Sequence, residues 1–220
     1  MTRFVIVTGT DTGVGKTYVA EALVRNLARA CRVVAIKPFE SGMRDGEAGD
    51  GERLARASGQ VAPTQALRRF VAPLAPIMAA EREGVAIDFA AVLAEIRALA
   101  EGTDVALIEG AGGVLSPLTW SEDALTLARA LDADVVLVAS DRLGTLSVTH
   151  AAIEVMRARP PIAIVLSAPE VPDASTGANA AALAIRIGTH VPLVEIGRGD
   201  DGARSLAPVV TRLLQSAETR

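Results

Sequence analysis

Short apolar runs alternate with helical patterns along most of this chain, and this alternation restricts its possible folds more than any other feature. Strands that are apolar on both faces and are joined by helices form parallel sheets that are covered on both sides. We therefore predict a doubly wound α/β fold, with a mainly parallel sheet, in a single domain over residues 1–220. The predicted strands are Arg3–Thr8, Val33–Lys37, Val105–Glu109, Asp134–Ala139, Ile162–Ser167 and Val191–Ile196.

Helical periodicity predicts the connections between these strands. The first helix, Lys16–Ala30, has a stripe of valine and leucine at helical spacing, and Asp88 has the position of an N-cap for a helix ending at Ala100. The proline-rich stretch Val61–Pro76 has no regular period and is left unassigned. The other predicted helices are a short one ending near Gly59, Asp123–Leu131, Ser147–Arg157, Asn179–Ile187 and Ala203–Ser216.

Composition excludes several functional classes. The net charge is -4 and the basic residues are dispersed, so we predict no nucleic-acid partner. The apolar runs are too short for a membrane span or a signal peptide, which predicts a cytoplasmic protein without a membrane partner. The single cysteine, Cys31, excludes an internal disulfide and is predicted to be a small buried residue at a helix end. His150 and His190 lack metal-ligand spacing and are predicted to lie at the surface or in helix packing.

The segment Gly9–Thr17, with the sequence GTDTGVGKT, joins the first predicted strand to the first helix. In this context backbone N–H groups of a glycine-rich turn and of the helix N-terminus can bind phosphate oxygens. Lys16 can reach the β and γ phosphates, and the Thr17 hydroxyl can ligate Mg²⁺. Five residues, rather than the usual four, separate Gly9 from Gly15. The pattern predicts a phosphate-binding loop (P-loop), against the alternative of a glycine-bearing turn without a ligand.

Lysine usage singles out two positions. The chain has 22 cationic side chains, of which only Lys16 and Lys37 are lysines. Both lie in glycine-rich motifs, which indicates that a compact ammonium is needed where a guanidinium does not fit. The alternative is that the two lysines persist by chance.

Two further motifs follow predicted strands. The segment Lys37–Gly42 lies at the same edge of a parallel sheet as the P-loop, so Lys37 can be a second cation at the transferred phosphoryl group. Ser41 can bind substrate there. In Glu109–Gly113, an acid at a strand tip is placed to ligate Mg²⁺, unless it is simply an exposed acid in a tight turn. From the residues alone, Asp50 is better interpreted as a loop acid or a helix cap.

Together these motifs resemble those of the dethiobiotin synthetase family. The resemblance rests on Gly9–Thr17 with its unusual spacing, on Lys37–Gly42, on Glu109–Gly113 and on the turn Leu143–Thr145. It also makes Asp50, which precedes a predicted helix, a Mg²⁺ ligand. The resemblance covers most of the chain and implies a P-loop NTPase-like fold.

The resemblance implies an ATP- and Mg²⁺-dependent reaction of 7,8-diaminononanoate with CO₂. The first amine forms a carbamate, the carbamate attacks the γ-phosphoryl group, and the second amine closes the ureido ring. In this family the site is completed across a homodimer, where the turn Gly144–Ser147 of the partner holds the distal carboxylate of the substrate. Ser147 stands where the family usually has asparagine.

The resemblance also implies the roles of individual residues. The implied catalytic residues are Thr12, Lys16, Lys37 and Ser41, and the metal ligands are Thr17, Asp50 and Glu109. Substrate contacts are assigned to Thr12, Lys37, Ser41, Gly144, Thr145, Leu146 and Ser147. ATP contacts are assigned to Gly13, Val14, Gly15, Lys16, Thr17, Tyr18, Asp50, Glu109, Gly110, Ala111, Gly112, Ser167, Ala168, Gly197, Arg198 and Gly199. Ser167 and Ala168 replace the usual Asn-Asp that reads adenine, and serine can satisfy only part of that hydrogen-bond pattern.

Two other functions remain open at this point. Partitioning or septum-positioning ATPases have a signature lysine five residues before the P-loop lysine, where this chain has Asp11. A small-acid amidoligase or kinase would share Lys16, Thr17 and Glu109 but would not require Lys37 and Ser41 in this arrangement.

Overall fold

The computed structural model describes residues 1–43, 46–188 and 191–215. The expectations for His190 and for a helix end at Ser216 lie outside these residues. The strands within the described residues are β1 Arg3–Gly9, β2 Val33–Ile36, β3 Phe39–Ser41, β4 Arg68–Phe70, β5 Val105–Gly113, β6 Asp134–Ser140, β7 Ala163–Ser167 and β8 Leu193–Ile196. The helices are α1 Lys16–Leu27, α2 Asp50–Ser58, α3 Pro76–Arg82, α4 Phe89–Ala100, α5 Ala124–Ala130, α6 Thr145–Val155, α7 Asn179–Ile187 and α8 Ala207–Gln215.

Six of the strands form one sheet in the order β2-β5-β1-β6-β7-β8. Every neighbouring pair in this sheet is parallel, so the carboxyl ends of all six strands lie along one edge. Strands β2 and β5 lie on one side of β1, and strands β6, β7 and β8 lie on the other, so the strand order reverses at β1. Such a switch point opens a crevice at the carboxyl ends of the strands, where α/β proteins bind ligands.

Helices cover both faces of the sheet, because successive strand residues point to opposite sides. Ile6 of β1 joins the core formed with α3 to α7, whereas Val5 and Val7 join the core formed with α1, α2 and α8. The apolar stripe of α1 is fully buried in this second core. The prediction of a mainly parallel sheet with helices on both faces is therefore confirmed.

Strand register places the predicted site residues beside one another. Ile36 is paired with Ile108, so Lys37, the first residue after β2, lies beside Glu109 of β5. The prediction that this strand ends at Glu109 is wrong, because β5 continues to Gly113. Val7 of β1 is paired with Glu109, two residues before the P-loop begins. The P-loop, Lys37 and Glu109 therefore lie next to one another at this edge of the sheet.

The segment between β2 and α4 departs most from the sequence analysis. β3 pairs in parallel with β4 as a separate two-stranded sheet, and α3 begins with Pro76 at its first turn. Neither β4 nor α3 was predicted. Strand β4 has only three residues, which are too few to show a strand period. Helix α3 has only seven residues, so its helical period in the sequence is weak.

Several helix ends also differ from prediction. Helix α1 ends at Leu27 rather than residue 30, α6 begins at Thr145 rather than residue 147, and α8 begins at Ala207 rather than residue 203. Cys31, predicted to be buried, is only half-buried beside the Leu27 carbonyl.

The longest helices among the described residues have twelve residues, and none is long and apolar enough to cross a membrane.

Candidate active site

A cavity of about 890 Å³ lies at the carboxyl edge of the sheet, where the P-loop meets the ends of β2 and β5. Thirteen of the predicted site residues line it, although they come from distant parts of the sequence. These are Thr12, Gly13, Gly15, Lys16, Thr17, Tyr18, Lys37, Ser41, Asp50, Glu109, Ala111, Gly112 and Arg198. The cavity is large enough for a nucleotide together with a small substrate.

The P-loop reaches the cavity because two of its glycines adopt left-handed backbone conformations. Gly13 has φ 74° and Gly15 has φ 96°. A Cβ atom at Gly15 would also lie 2.4 Å from Oγ of Ser167, so no side chain fits there. Val14, between them, is buried in the core formed with α1, α2 and α8, and so holds the loop against the sheet. The glycines therefore leave backbone amides open toward the cavity.

Four polar side chains converge beside the P-loop. The Lys37 ammonium lies 2.6 Å from Oε1 of Glu109 and 3.3 Å from Oδ2 of Asp50. It also donates to the Gly110 carbonyl at 3.2 Å. The Thr17 hydroxyl donates to the same Glu109 oxygen at 2.8 Å. The predicted second lysine and the three predicted metal ligands thus form one network.

Burial and charge shift the pKa values in this network. Burial opposes the charged form of Lys37, but the carboxylates of Glu109 and Asp50 outweigh it and raise its pKa. Burial raises the pKa of Glu109 despite the neighbouring ammonium. For Asp50, burial is outweighed by Lys37, Thr17 and Arg53, which together lower its pKa. Burial, followed by repulsion from Lys37, lowers the pKa of Lys16 to about 8.

Three oxygen-bearing side chains fit a Mg²⁺ ion at this place. Oε2 of Glu109 is buried and has no hydrogen-bond partner in the described part of the chain, since both donors bind Oε1. Asp50 and Thr17 lie beside it. No group of three His, Cys, Asp or Glu residues that could hold a metal is found among the described residues. A donor set of two carboxylates and a hydroxyl suits Mg²⁺, which takes its remaining ligands from water and phosphate.

The predicted substrate residues Thr12 and Ser41 lie on the cavity wall. The Ser41 hydroxyl is buried without a hydrogen-bond partner among the described residues, so it is available to a ligand. Thr12 is exposed at the tip of the P-loop, and its hydroxyl lies 3.9 Å from the position of a Cβ at Gly112. The glycines after Glu109 therefore let the end of β5 approach the P-loop closely.

Three of the expected ATP contacts, Gly197, Arg198 and Gly199, lie in the loop after β8. The Tyr18 hydroxyl is 2.7 Å from the Gly197 carbonyl and 2.6 Å from the Asp200 carbonyl, so α1 holds the loop after β8. Arg198 of this loop reaches the cavity. The remaining expected contacts, which do not line the cavity, are Val14, Gly110, Ser167, Ala168, Gly197 and Gly199.

The turn Gly144–Ser147 lies apart from the main cavity of the same chain. Its first two residues, Gly144 and Thr145, border a second cavity of about 90 Å³ together with Thr10 and Asp11 of the P-loop segment. Gly144 has φ 93° and is the N-cap of α6, Thr145 is buried, and Ser147 is exposed. Within one chain the structure does not bring this turn to the other predicted substrate residues.

The structure adds cavity residues to which the sequence analysis assigned no role. Glu40 lies inside the Lys37–Gly42 motif and is 8% exposed. The other added lining residues are Phe39, Arg53 of α2, Ser116 and the stretch 73–76. Glu40 could have been found as the one acid in a motif already assigned to the active site. The stretch 73–76 has no such signal, because its position depends on the β3–β4 pairing.

Comparison with known proteins identifies close relatives of this chain. A family model described as an AAA domain matches residues 3–196. The chain is 44% identical over 224 residues to a protein of Anaeromyxobacter dehalogenans strain 2CP-C, named ATP-dependent dethiobiotin synthetase BioD. That alignment covers 97% of this chain and 99% of the relative. An Anaeromyxobacter sp. Fw109-5 protein of the same name is 43% identical, with 90% and 92% coverage.

Solved structures share the fold at low sequence identity. The chloroplast FtsY of Physcomitrella patens has a TM-score of 0.56 and 19% identity, over 96% of this chain and 65% of that protein. A ParA family ATPase from Chlorobium tepidum also has a TM-score of 0.56, with 14% identity over 100% of this chain and 93% of that protein. These similarities confirm a P-loop NTPase-like fold.

Proposed function

The chain belongs to the dethiobiotin synthetase family, and from this premise we propose how its residues catalyse the family's ATP-dependent formation of C–N bonds. The reaction converts 7,8-diaminononanoate, CO₂ and ATP into dethiobiotin, ADP and phosphate. One amine adds to CO₂ and loses a proton, which gives a carbamate. A carbamate oxygen attacks the γ-phosphorus and ADP leaves, and the second amine then displaces phosphate from the carbonyl carbon.

The two lysines allow two anions to approach each other. Carbamate and triphosphate repel, so the reaction needs positive charge placed between them in advance. Lys16 extends from the start of α1 and Lys37 from the end of β2, and both line the cavity. Lys16 binds the β and γ phosphates, together with the amides at the start of α1. Lys37 stabilises the charge on the transferred phosphoryl group.

Thr17, Asp50 and Glu109 would hold Mg²⁺ against the phosphates. When bound, the ion supplies Lewis acidity that neutralises charge on the β and γ phosphates. Oε2 of Glu109, which has no hydrogen-bond partner among the residues that the structure describes, is the ligand atom that supports this assignment most directly.

Thr12 and Ser41 orient the reacting end of the substrate. Their hydroxyls can accept from the amines and donate to the carbamate, because a hydroxyl has both capacities. The hydroxyl of Ser41 has no hydrogen-bond partner in the described residues, which supports this role. The main contribution that positioning makes to such a reaction is to hold the carbamate oxygen in line with the γ-phosphorus and the second amine next to the carbonyl carbon.

We further propose that the protein acts as a cytoplasmic homodimer whose partner supplies the turn Gly144–Ser147. Helix α6, whose first three residues belong to this turn, buries only Thr145 and Thr149 among its residues. Leu143, Val148 and Val155 are exposed on and beside it, with Leu143 81% exposed. An apolar surface around a turn that does not line the cavity of its own chain supports a role at a subunit interface.

The observation that carries the proposed mechanism is the Lys37 ammonium held between Glu109 and Asp50 next to the P-loop. The test incubates the purified protein with diaminononanoate, labelled bicarbonate, Mg²⁺ and, in separate reactions, ATP, GTP, CTP and UTP. We expect a labelled ureido product that depends on diaminononanoate and on Mg²⁺. Hydrolysis of ATP without that product would overturn the proposal, and the nucleotide series reveals the base preference.

A further inference from the structure

Glu40 is a buried carboxylate in the active-site cavity that the mechanism above does not use. It lies in β3, three residues after Lys37, and is 8% exposed. Its oxygens accept hydrogen bonds from the backbone N–H of Asp50 and, at 3.4 Å, from that of Gly51. These are the first two residues of α2.

Helix α2 needs such an acceptor from outside. The first N–H groups of a helix have no partner within it, and a side chain at the N-cap usually accepts from them. The N-cap of α2 is Gly49, which has no side chain to do so. The carboxylate of Glu40 takes this role from a neighbouring strand, and its negative charge also suits the positive end of the helix dipole.

The Gly49-Asp50-Gly51 sequence fits this arrangement residue by residue. A Cβ at Gly49 would lie 2.7 Å from both carboxylate oxygens of Glu40, and a Cβ at Gly51 would lie 2.3 Å from the backbone nitrogen of Ala66. Glycine is therefore required at position 51, where backbone lies close, whereas a Cβ at position 49 would press only on the end of the Glu40 side chain. Of these three residues only Asp50 has a side chain, and its carboxylate lies 3.3 Å from the Lys37 ammonium.

We propose that Glu40 is a positioning residue for the magnesium site: by capping α2 it holds the carboxylate of Asp50 where the ion and Lys37 meet it. This inference rests on the proposed function, because it concerns the same metal-nucleotide site. The short segment from Lys37 to Glu40 then supplies both the cation, Lys37, and the carboxylate that positions Asp50 opposite it. Because the oxygens of Glu40 face backbone amides, Glu40 itself is not a metal ligand.

The test measures the binding of ADP by calorimetry with and without Mg²⁺, and the binding of Mn²⁺ to the ADP complex by electron paramagnetic resonance. In Glu40→Ala we expect the tightening of ADP binding by Mg²⁺ to fall roughly tenfold, which is typical for loss of a residue that orients a metal ligand. Binding of metal-free ADP remains unchanged, since the P-loop and Lys16 are intact. Glu40→Gln, which keeps one acceptor oxygen, has an intermediate effect.

Gly49→Ala tests the same contact from the helix side. The added methyl pushes against the Glu40 carboxylate, and its backbone angles, φ -69° and ψ 167°, are open to alanine, so the variant keeps the fold. We expect the same selective loss of Mg²⁺ binding. Glu52→Gln is the matched control: this acid lies in the same first turn but faces Arg56 at 3.6 Å, and its loss leaves Mg²⁺ binding unchanged.

Unchanged Mg²⁺ dependence in both Glu40→Ala and Gly49→Ala would overturn the inference. Equal weakening of ADP binding with and without the metal would also overturn it, because that result indicates a general disturbance of the site. Failure of the proposed function is a separate outcome. In that case the wild-type protein forms no ureido product, whereas the effects of these variants on Mg²⁺-dependent ADP binding and on Mn²⁺ binding are still observed.

Discussion

At the scale of single residues, the site depends on two lysines in different electrostatic environments. Lys37 is paired with two carboxylates and has a raised pKa, whereas Lys16 lies near Lys37 and has a pKa lowered to about 8. Burial disfavours the charged form of both, so the difference comes from the neighbouring charges. Lys37 is therefore a constant cation near neutral pH, and Lys16 is the lysine that can titrate.

Replacing Lys37 by arginine tests whether a compact ammonium is required. Lys37 is 4% exposed and contacts both Glu109 and Asp50, so the wider guanidinium displaces these acids. We expect turnover to fall roughly 100-fold in Lys37→Arg, the effect typical of misplaced reacting groups. Steady-state formation of the ureido product measures it. The control is Arg32→Lys at an exposed ion pair with Asp104; full activity in Lys37→Arg would contradict the prediction.

The lowered pKa of Lys16 predicts how nucleotide binding depends on pH. As the pH rises through about 8, Lys16 of the free protein loses its proton, while bound phosphates favour the protonated form. The Kd for ADP should therefore rise, by up to about tenfold per pH unit above 8, as measured by calorimetry. Lys16→Met should bind more weakly, without this slope. A wild-type Kd that stays constant from pH 7 to 9.5 would show the prediction to be wrong.

At the scale of elements, helix α1 connects the two ends of the proposed nucleotide site. It begins at the P-loop lysine, and its Tyr18 and Asn26 hydrogen-bond to carbonyls of the loop that follows β8. The loop that carries Arg198 is thus held against the helix that begins at the P-loop. This contact could not be predicted from sequence, because residues 18 and 197 are brought together only by the positions of β1 and β8 in the sheet.

Tyr18→Phe tests this connection by removing one hydroxyl. We expect the KM for ATP to rise roughly fivefold with kcat within about twofold, since a hydrogen bond contributes about 1 kcal/mol. Inhibition by tripolyphosphate, which needs only the P-loop, should not change. The control Thr103→Val removes a hydroxyl that caps the end of α4, away from the cavity. An equal loss of ATP and tripolyphosphate binding would indicate damage to the P-loop instead.

Secondary structure was predictable where local chemistry is strong. Helix α4 has Asp88 as its N-cap, with the carboxylate accepting from the amide of Ala91, and it ends at Ala100 as predicted. Helix α7 also matches its predicted bounds, Asn179–Ile187. The small sheet of β3 and β4 was not predictable, because its strands are stabilised by pairing with each other and not by a pattern of their own.

At the scale of the whole molecule, the turn Gly144–Ser147 and the main cavity are separate within one chain. The proposed homodimer would join them, because an interface built on α6 can present this turn to the cavity of the partner. Activity should then depend on association of the subunits as well as on the chemistry of the cavity.

Mixed dimers test whether the partner completes the site. Lys16→Met disables phosphate binding, and Ser147→Asp places a negative charge where the substrate carboxylate is expected, so each variant alone should be inactive. When the two are co-expressed at equal levels, half of the dimers are mixed and each has one intact site. Activity should therefore return to about a quarter of the wild-type value. No recovery in mixed dimers whose composition is verified by mass spectrometry would contradict a shared site.

The sequence by itself determined the alternation of strands and helices, the start of α1 at Lys16, and the placement of Lys37 at the exit of β2. These features depend on period, capping and backbone freedom over a few neighbouring residues, so they can be read locally. Only the tertiary structure decided that β5 lies between β1 and β2, and that the carboxylate of Glu40 caps the helix of Asp50. Such contacts depend on sheet order and on close backbone approach between distant segments, which no local pattern encodes.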